Sequence, residues 1–173
     1  MYKKLKIVKI KSEYCDYLRK YDNRVSYNAG SKELRPFIGI LFMVGEWEYF
    51  APLSSPQEKH KMLKNTIDFI KIKNGEYGVI NFNNMIPVTK VNYTEFKLNL
   101  KGNDRNEILR IELMKNQLRW LNDNKKEIYF KSKLLYTLYK DGKLSKNVMN
   151  RCCNFILLEK KCMEYNNEKI SLK

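Results

Sequence analysis

The sequence predicts an α+β fold, and three observations carry that prediction. Short β-branched and aromatic runs punctuated by turn signals dominate residues 2–100, apolar residues at helical spacing take over from Asp104, and the helices thus fall mainly after the strands. The 173 residues, 43% hydrophobic and 13% aromatic, suffice for a single domain (1–173) with its own core. About six short strands, mostly antiparallel, make a small barrel or strongly curved sheet, with an N-terminal helix and C-terminal helices.

The elements follow in order. Residues 2–10 (Y-K-K-L-K-I-V-K-I) alternate in part and read as a strand. Ser12 is placed to cap a helix over 13–21, on which Tyr14, Tyr17, Leu18 and Tyr21 share helical spacing. Asp22 to Glu33 is polar and reads as a loop. The nearly continuous apolar run Arg35–Val44 predicts one strand buried on both faces. Gly45-Glu46 turns it into an antiparallel partner, Trp47–Leu53, which ends in Ser54, Ser55 and Pro56. Lys59–Lys64 predicts one helical turn. Thr66–Lys73 and Tyr77–Phe82 form a further pair around Asn74-Gly75, and Met85–Val88 and Val91–Leu100 add one or two strands.

Asp104 with Glu107 has the spacing of a capping box before Ile108, Ile111, Met114 (or Lys115), Leu118 and Leu121. Asn124 with Glu127 repeats it before Ile128, Lys131, Leu135 and Leu138, and Gly142 ends that helix. Asn154 precedes Phe155, Leu158, Cys162 and Tyr165, the stripe of a last amphipathic helix, with fraying predicted from Asn166.

Composition narrows the function. Against 19 acids stand 34 Lys and Arg, a net charge of +15. Such an excess attracts polyanions, and nucleic acid is the first partner to consider beside a merely solubilising surface. No apolar run reaches membrane-spanning length and the N-terminus lacks a signal-peptide core, so a cytoplasmic location and no membrane partner are expected. Cys15, Cys152, Cys153 and Cys162 show no C-x-x-C pairing, and one histidine does not complete a usual zinc set. Reduced core thiols, no metal and no cofactor are the expectation.

The stretch F-A-P-L-S-S-P-Q-E-K-H (Phe50–His60) concentrates the candidate chemistry. A strand ending in paired hydroxyls and a proline turn presents polar groups at a sheet rim. A Ser-His-Asp triad fails, because His60 lies five residues from Ser55 with no evident orienting acid. Cleavage of RNA needs less. One group takes the 2′-hydroxyl proton, another protonates the leaving 5′-oxygen, cations balance the phosphorane, and the 2′-oxygen is held in line. Ser, Thr and Tyr hydroxyls with Lys or Arg can fill these roles. A non-catalytic RNA-binding module, or a domain for acidic protein partners, would use the same surface.

The motifs resemble the type III toxin–antitoxin endoribonucleases of the ToxN/AbiQ family. The likeness runs through Y-x-x-Y-L and Y-D-N-R-V (Tyr14–Val25), R-P-F-I-G-I-L (Arg35–Leu41) and Y-F-A-P-L-S-S-P (Tyr49–Pro56) with the following Lys59-His60. It continues through G-V-I-N-F-x-x-M-I-P (Gly78–Pro87), N-Q-L-R-W-L (Asn116–Leu121) and C-N-F-I-L-L-E-K-K (Cys153–Lys161). The resemblance implies a MazF/Kid-like barrel with added helices. It implies metal-independent cutting of A-rich cellular or phage mRNA to a 2′,3′-cyclic phosphate. As partner it implies a small RNA antitoxin of tandem, pseudoknotted repeats, which the toxin processes and stays bound to, with RNA-mediated higher-order assembly. The wider role would be phage abortive infection or plasmid maintenance.

Carried over by position, Ser54 and Ser55 match the family's active-site pair, Arg35 falls where relatives carry a lysine, and Tyr14 matches an early-helix tyrosine near the cleft. Gln57 stands where some members have lysine, which leaves Lys59 or Lys32 to supply that cation. Tyr27 falls in a loop of variable length. His60 is either structural or an RNA contact, Tyr14 either core or cleft, and Trp120 either core or a stacking surface for a base. Lys115 and Lys160 are either solvated helix lysines or contacts to the antitoxin.

Overall fold

The computed structural model of the chain describes residues 3–26, 36–39, 41–99 and 104–171, with side chains as far as 167. Strand β1 (Lys6–Ile10) leads into helix α1 (Ser12–Arg19). Lys11, not Ser12, takes the cap position, and Ser12 is the first helical residue. The apolar run after Arg35 divides into β2 (Phe37–Gly39) and β3 (Met43–Val44). Next come β4 (Trp47–Ser54), helix α2 (Glu58–Met62), β5 (Phe69–Lys71), β6 (Val79–Asn81), β7 (Ile86–Val88) and β8 (Tyr93–Glu95). Four helices close the chain: α3 (Arg105–Asp123), α4 (Lys125–Lys140), α5 (Lys146–Arg151) and α6 (Phe155–Ser171).

Among the described residues every strand pairing is antiparallel, in an eight-stranded sheet of order β5-β6-β4-β2-β1-β8, with β3 and β7 also on β4. Among the described residues the path is open, with β5 and β8 at its ends. β4 is the hub. One edge takes β3 (Met43↔Glu48) and β2 (Phe37↔Pro52), and the other takes β7 (Phe50↔Ile86) and β6 (Leu53↔Ile80, Ser54↔Val79). Pro52 survives in this central strand because of the changeover. Tyr49 and Leu53 donate to Phe42 O (2.9 Å) and Pro36 O (3.0 Å), so alternation turns the Pro52 nitrogen to the opposite edge, between β7 and β6. The one predicted strand becomes two because β4 is too crowded for a flat continuation. A Cβ on Gly39 would lie 1.8 Å from the Phe50 ring.

The core lies between the sheet and the helices α1, α3, α4 and α6. Phe37, Tyr49, Phe50, Phe82 and Phe155 are among its largest fully buried members, and all four cysteines are buried thiols, not joined in disulfides. α3 is fastened to the sheet through amides. Asn122 exchanges bonds with the Leu5 backbone (3.0 and 3.2 Å), and buried Gln117 donates to Tyr77 O at 2.7 Å. Asn124 does not open α4 as a capping side chain; its Nδ2 donates to Trp120 O (2.8 Å) and closes α3.

α6 is the best-anchored helix. Asn154 accepts from Leu157 N (3.1 Å), Asp22 Oδ2 takes the Asn154 N–H (2.6 Å), and Glu159 Oε1 accepts from both Tyr49 and Tyr136 hydroxyls at 2.7 Å. The predicted fraying from Asn166 is not found: α6 continues to Ser171, and Asn166 Oδ1 accepts from Thr89 Oγ1 at 2.9 Å and Asn92 Nδ2 at 3.1 Å. Helix α5, capped by Ser145, has no counterpart among the predicted elements. No helix among the described residues is long and apolar enough to cross a membrane.

Candidate active site

β4 brings Ser54 and Ser55 to the end of the hub strand. Ser54 is half-buried and still paired with Val79, whereas Ser55 and Pro56 are exposed. Proline after Ser55 biases that residue to extended backbone, so the chain leaves the sheet outward instead of coiling back over it. The rim is held from β6. Gly78 (φ +93) packs so closely that a Cβ there would lie 1.9 Å from Ser54 O, and Asn81 Nδ2 donates to Ser54 Oγ at 2.8 Å. The carbonyl and the hydroxyl of Ser54 are both braced by one neighbouring strand.

The turn after the rim is fixed by His60. Its backbone N–H donates to Gln57 O (2.9 Å), and its Nδ1 accepts from Gln57 N (3.2 Å). It is 4% exposed and sits under the Gly75 turn, where a Cβ would come within 3.0 Å of the His60 carbonyl carbon. Burial, then the nearby Lys59 charge, pushes the imidazole below its usual 6.5. A buried ring with Nδ1 engaged fastens the turn, which is the structural one of the two alternatives.

Beside the rim lies a groove of about 450 Å³ lined by Pro56, Gln57, Glu58, Lys61, Gly75 and Glu76. Gln57 lines this groove, and neither Ser54 nor Ser55 does. Lys61 and Lys73 are engaged by Glu58 (2.9 Å) and Glu76 (2.8 Å), while Lys59 stands exposed. A second groove, of about 390 Å³, is lined by Lys4, Leu98, Lys115, Leu118, Arg119, Asn122 and Asp123 and shares no residue with the first. Lys115 thus belongs to the α3–β1 side of the molecule. Lys160 is exposed on α6, which rests on β7 and α1. Trp120 is half-buried and packs against the core.

Arg35, Tyr27 and Lys32 lie outside the described residues; the chain re-enters at Pro36, whose carbonyl meets Leu53, one residue before Ser54. Tyr14 is corrected from cleft to core. It has no exposed surface, donates to Pro87 O at 2.6 Å and packs edge-on to Tyr165 at 5.1 Å. Burial, with the Cys162 thiol beside it, pushes its hydroxyl well above the usual 10, and its proton is spent on Pro87 O inside the core.

Two buried carboxylates escaped the sequence reading. Asp22 binds Arg24 (2.8 and 3.1 Å), and Asp68 binds Arg151 (2.9 and 3.1 Å) and Thr66 (2.7 Å). Burial alone would raise both carboxyls, but their hydrogen bonds outweigh it and hold each below its usual 3.8. Asn81 also escaped; its place three residues after Gly78 in G-V-I-N was the available signal.

A basic α+β domain whose hub strand ends in one half-buried and one exposed hydroxyl has the charge and the donors that contact with phosphate calls for. The family described as "Toxin ToxN, type III toxin-antitoxin system" matches residues 6–163, and the chain belongs to that family. It is 32% identical to Endoribonuclease ToxN of Bacillus thuringiensis subsp. kurstaki over 170 residues, 90% of this chain and 81% of the relative. Its fold matches that of AbiQ, a lactococcal anti-phage endoribonuclease of a type III toxin–antitoxin system, with TM-score 0.82 and 25% identity over 95% of this chain and 99% of that one. A structure concerned with selective toxin inhibition by a non-coding RNA pseudoknot matches with TM-score 0.77 and 28% identity, covering 95% and 99%.

Proposed function

We propose that this chain is a metal-independent, sequence-selective endoribonuclease toxin that cuts A-rich RNA and is held inactive by its own repeated, pseudoknotted RNA antitoxin. Membership of the ToxN family supports this reading. The observation that carries it is the Ser54-Ser55 pair at the end of the hub strand, with Ser54 braced by Asn81 and Gly78 and the chain running on through Pro56 and Gln57 into an open groove. The pair suits donation to the non-bridging oxygens of a scissile phosphate. The attacking 2′-oxygen loses its proton as the O2′–P bond forms, the P–O5′ bond breaks, and the 5′-oxygen gains a proton. The products are a 2′,3′-cyclic phosphate and a 5′-hydroxyl, so no serine need become covalently attached. Lys59 and Arg35 are the cations assigned to the developing charge.

In this reading the sheet is of the MazF/Kid type, the chain acts in the cytoplasm on cellular or phage mRNA, and anti-phage defence is its role. Lys115 with Lys4 and Arg119 is assigned to antitoxin phosphates, with Lys160 and the exposed edge of Trp120 as further RNA contacts.

The test uses purified protein and an A-rich RNA in EDTA. Cutting by the wild type, with Ser55→Ala binding equally well but losing roughly 10²–10³-fold in rate, is the expected result for a lost phosphate donor. A wild type that binds this RNA and never cuts it would make the chain a non-catalytic RNA-binding protein instead.

A further inference from the structure

We propose that Asn81 is a positioning residue for RNA cleavage, setting the direction in which the Ser54 hydroxyl donates. This rests on the reading of Ser54 as a phosphate donor. A serine hydroxyl carries one proton and two lone pairs, and alone it rotates among staggered wells and can spend its proton on a nearby carbonyl. Here Asn81 Nδ2 donates to Ser54 Oγ at 2.8 Å across the β6–β4 pairing. One lone pair is thereby occupied by an N–H, and the Ser54 O–H has to point away from Asn81. Ser54 is half-buried at the last position of β4, with the exposed Ser55 next to it, and its O–H is assigned here to the open side of the rim.

The contact depends on close approach of the strands. Asn81 is the last residue of β6, and Gly78 precedes that strand with its Cα against the Ser54 carbonyl. Any side chain at 78 would push β6 off the rim and lengthen the amide–hydroxyl bond. Asn81 has no need to touch RNA in this arrangement. It acts through Ser54, by orienting a donor before the phosphate arrives, where a freely rotating hydroxyl would have to be oriented at the cost of rate.

Asn81→Asp is the informative change, because it keeps the shape and inverts the bond. An ionised carboxylate only accepts, so the Ser54 proton turns inward and is lost to the phosphate. In single-turnover cleavage at saturating protein, Asn81→Asp is expected to fall about 10²-fold or more at pH 7, comparable to Ser54→Ala, with KM for the RNA within about threefold. The double variant should be no slower than Ser54→Ala alone, since both act on one donor. Acidification toward pH 4–5 protonates the introduced carboxyl, which can donate again, so the ratio of variant to wild-type rate should climb (ordinary carboxyl range about 4). Asn81→Ala, which removes the donor without adding charge, is expected to lower kcat with KM unchanged and serves if the Asp variant folds poorly.

Asn81→Asp cutting within about threefold of wild type at pH 7, or losses from Asn81→Asp and Ser54→Ala that multiply in the double variant, would overturn the proposal. So would a loss carried by KM instead of kcat. Ser54→Ala that cuts like wild type would overturn the reading of the rim itself, a distinct result visible in the same experiment.

Discussion

Replacing Gly78 by alanine should be among the most damaging one-carbon changes in the protein. The added Cβ would lie 1.9 Å from Ser54 O, so β6 and β4 must part by about 1.5 Å to reach ordinary contact at 3.4 Å. That movement breaks the pairing at Ser54↔Val79 and strains Leu53↔Ile80. Two backbone hydrogen bonds at about 1 kcal/mol each, together with about 1–2 kcal/mol for a side chain at φ +93, give roughly 3–4 kcal/mol. Against a typical total of about 5–15 kcal/mol the loss is large but survivable at low temperature. With a urea slope near 2 kcal/mol/M, the unfolding midpoint should drop by about 1.5–2 M. Cleavage by the fraction still folded should fall as well, since the Ser54 brace is the part displaced. A midpoint within about 0.3 M of wild type would show that β6 does not press on the rim as described.

Other consequences can be read the same way. Glu159→Ala removes the acceptor shared by the buried Tyr49 and Tyr136 hydroxyls, so about 2–5 kcal/mol of stability should go, seen as a Tm lower by roughly 5–15 °C, while Glu159→Gln keeps the acceptor and loses less. The fold holds His60 below the 6.5 near which its unfolded form takes a proton, so stability should decline as pH falls through 6.5 toward the depressed folded value, and His60→Asn, which keeps an acceptor, should flatten that part of a urea-midpoint-against-pH curve. Asp22 and Asp68 contribute in the opposite region: their stabilisation is complete above about 3.8 and is lost as pH falls through their depressed folded values, a step that Asp68→Asn should shrink. The buried thiols should resist a disulfide reagent until the protein unfolds, Cys152 among them because burial lifts it to about 12.

What could be read from the sequence was what depends on near neighbours. Asn154 ahead of Phe155, Leu158 and Cys162 is local capping and local periodicity, and α6 begins there. Ser-Ser-Pro after an apolar run is local turn chemistry, and β4 ends there. Hydropathy could not divide the run after Arg35, because the reason lies in the Phe50 ring over Gly39 and in the four partners gathered on β4. Asp68 reads as a surface acid until Arg151, 83 residues away, is folded onto it. The 3.6-residue period places Tyr14 on a stripe without saying whether a core or a cleft faces it, and Pro87 O and Tyr165 settle that only in three dimensions. The stretch C-N-F-I-L-L-E anchors α6, since its Asn154, Phe155 and Glu159 engage in capping, core packing and hydrogen bonding to Tyr49.

The central claim is that RNA supplies its own nucleophile and the serine rim only holds the phosphate. Its most direct test is one RNA carrying a single 2′-deoxy substitution at the scissile nucleotide, compared with the all-ribose strand. The account predicts unchanged binding and no cutting at that position, with a 2′,3′-cyclic phosphate and a 5′-hydroxyl from the all-ribose strand. Cutting of the deoxy position at the ribose rate, or a phosphate trapped on Ser54 or Ser55, would contradict it.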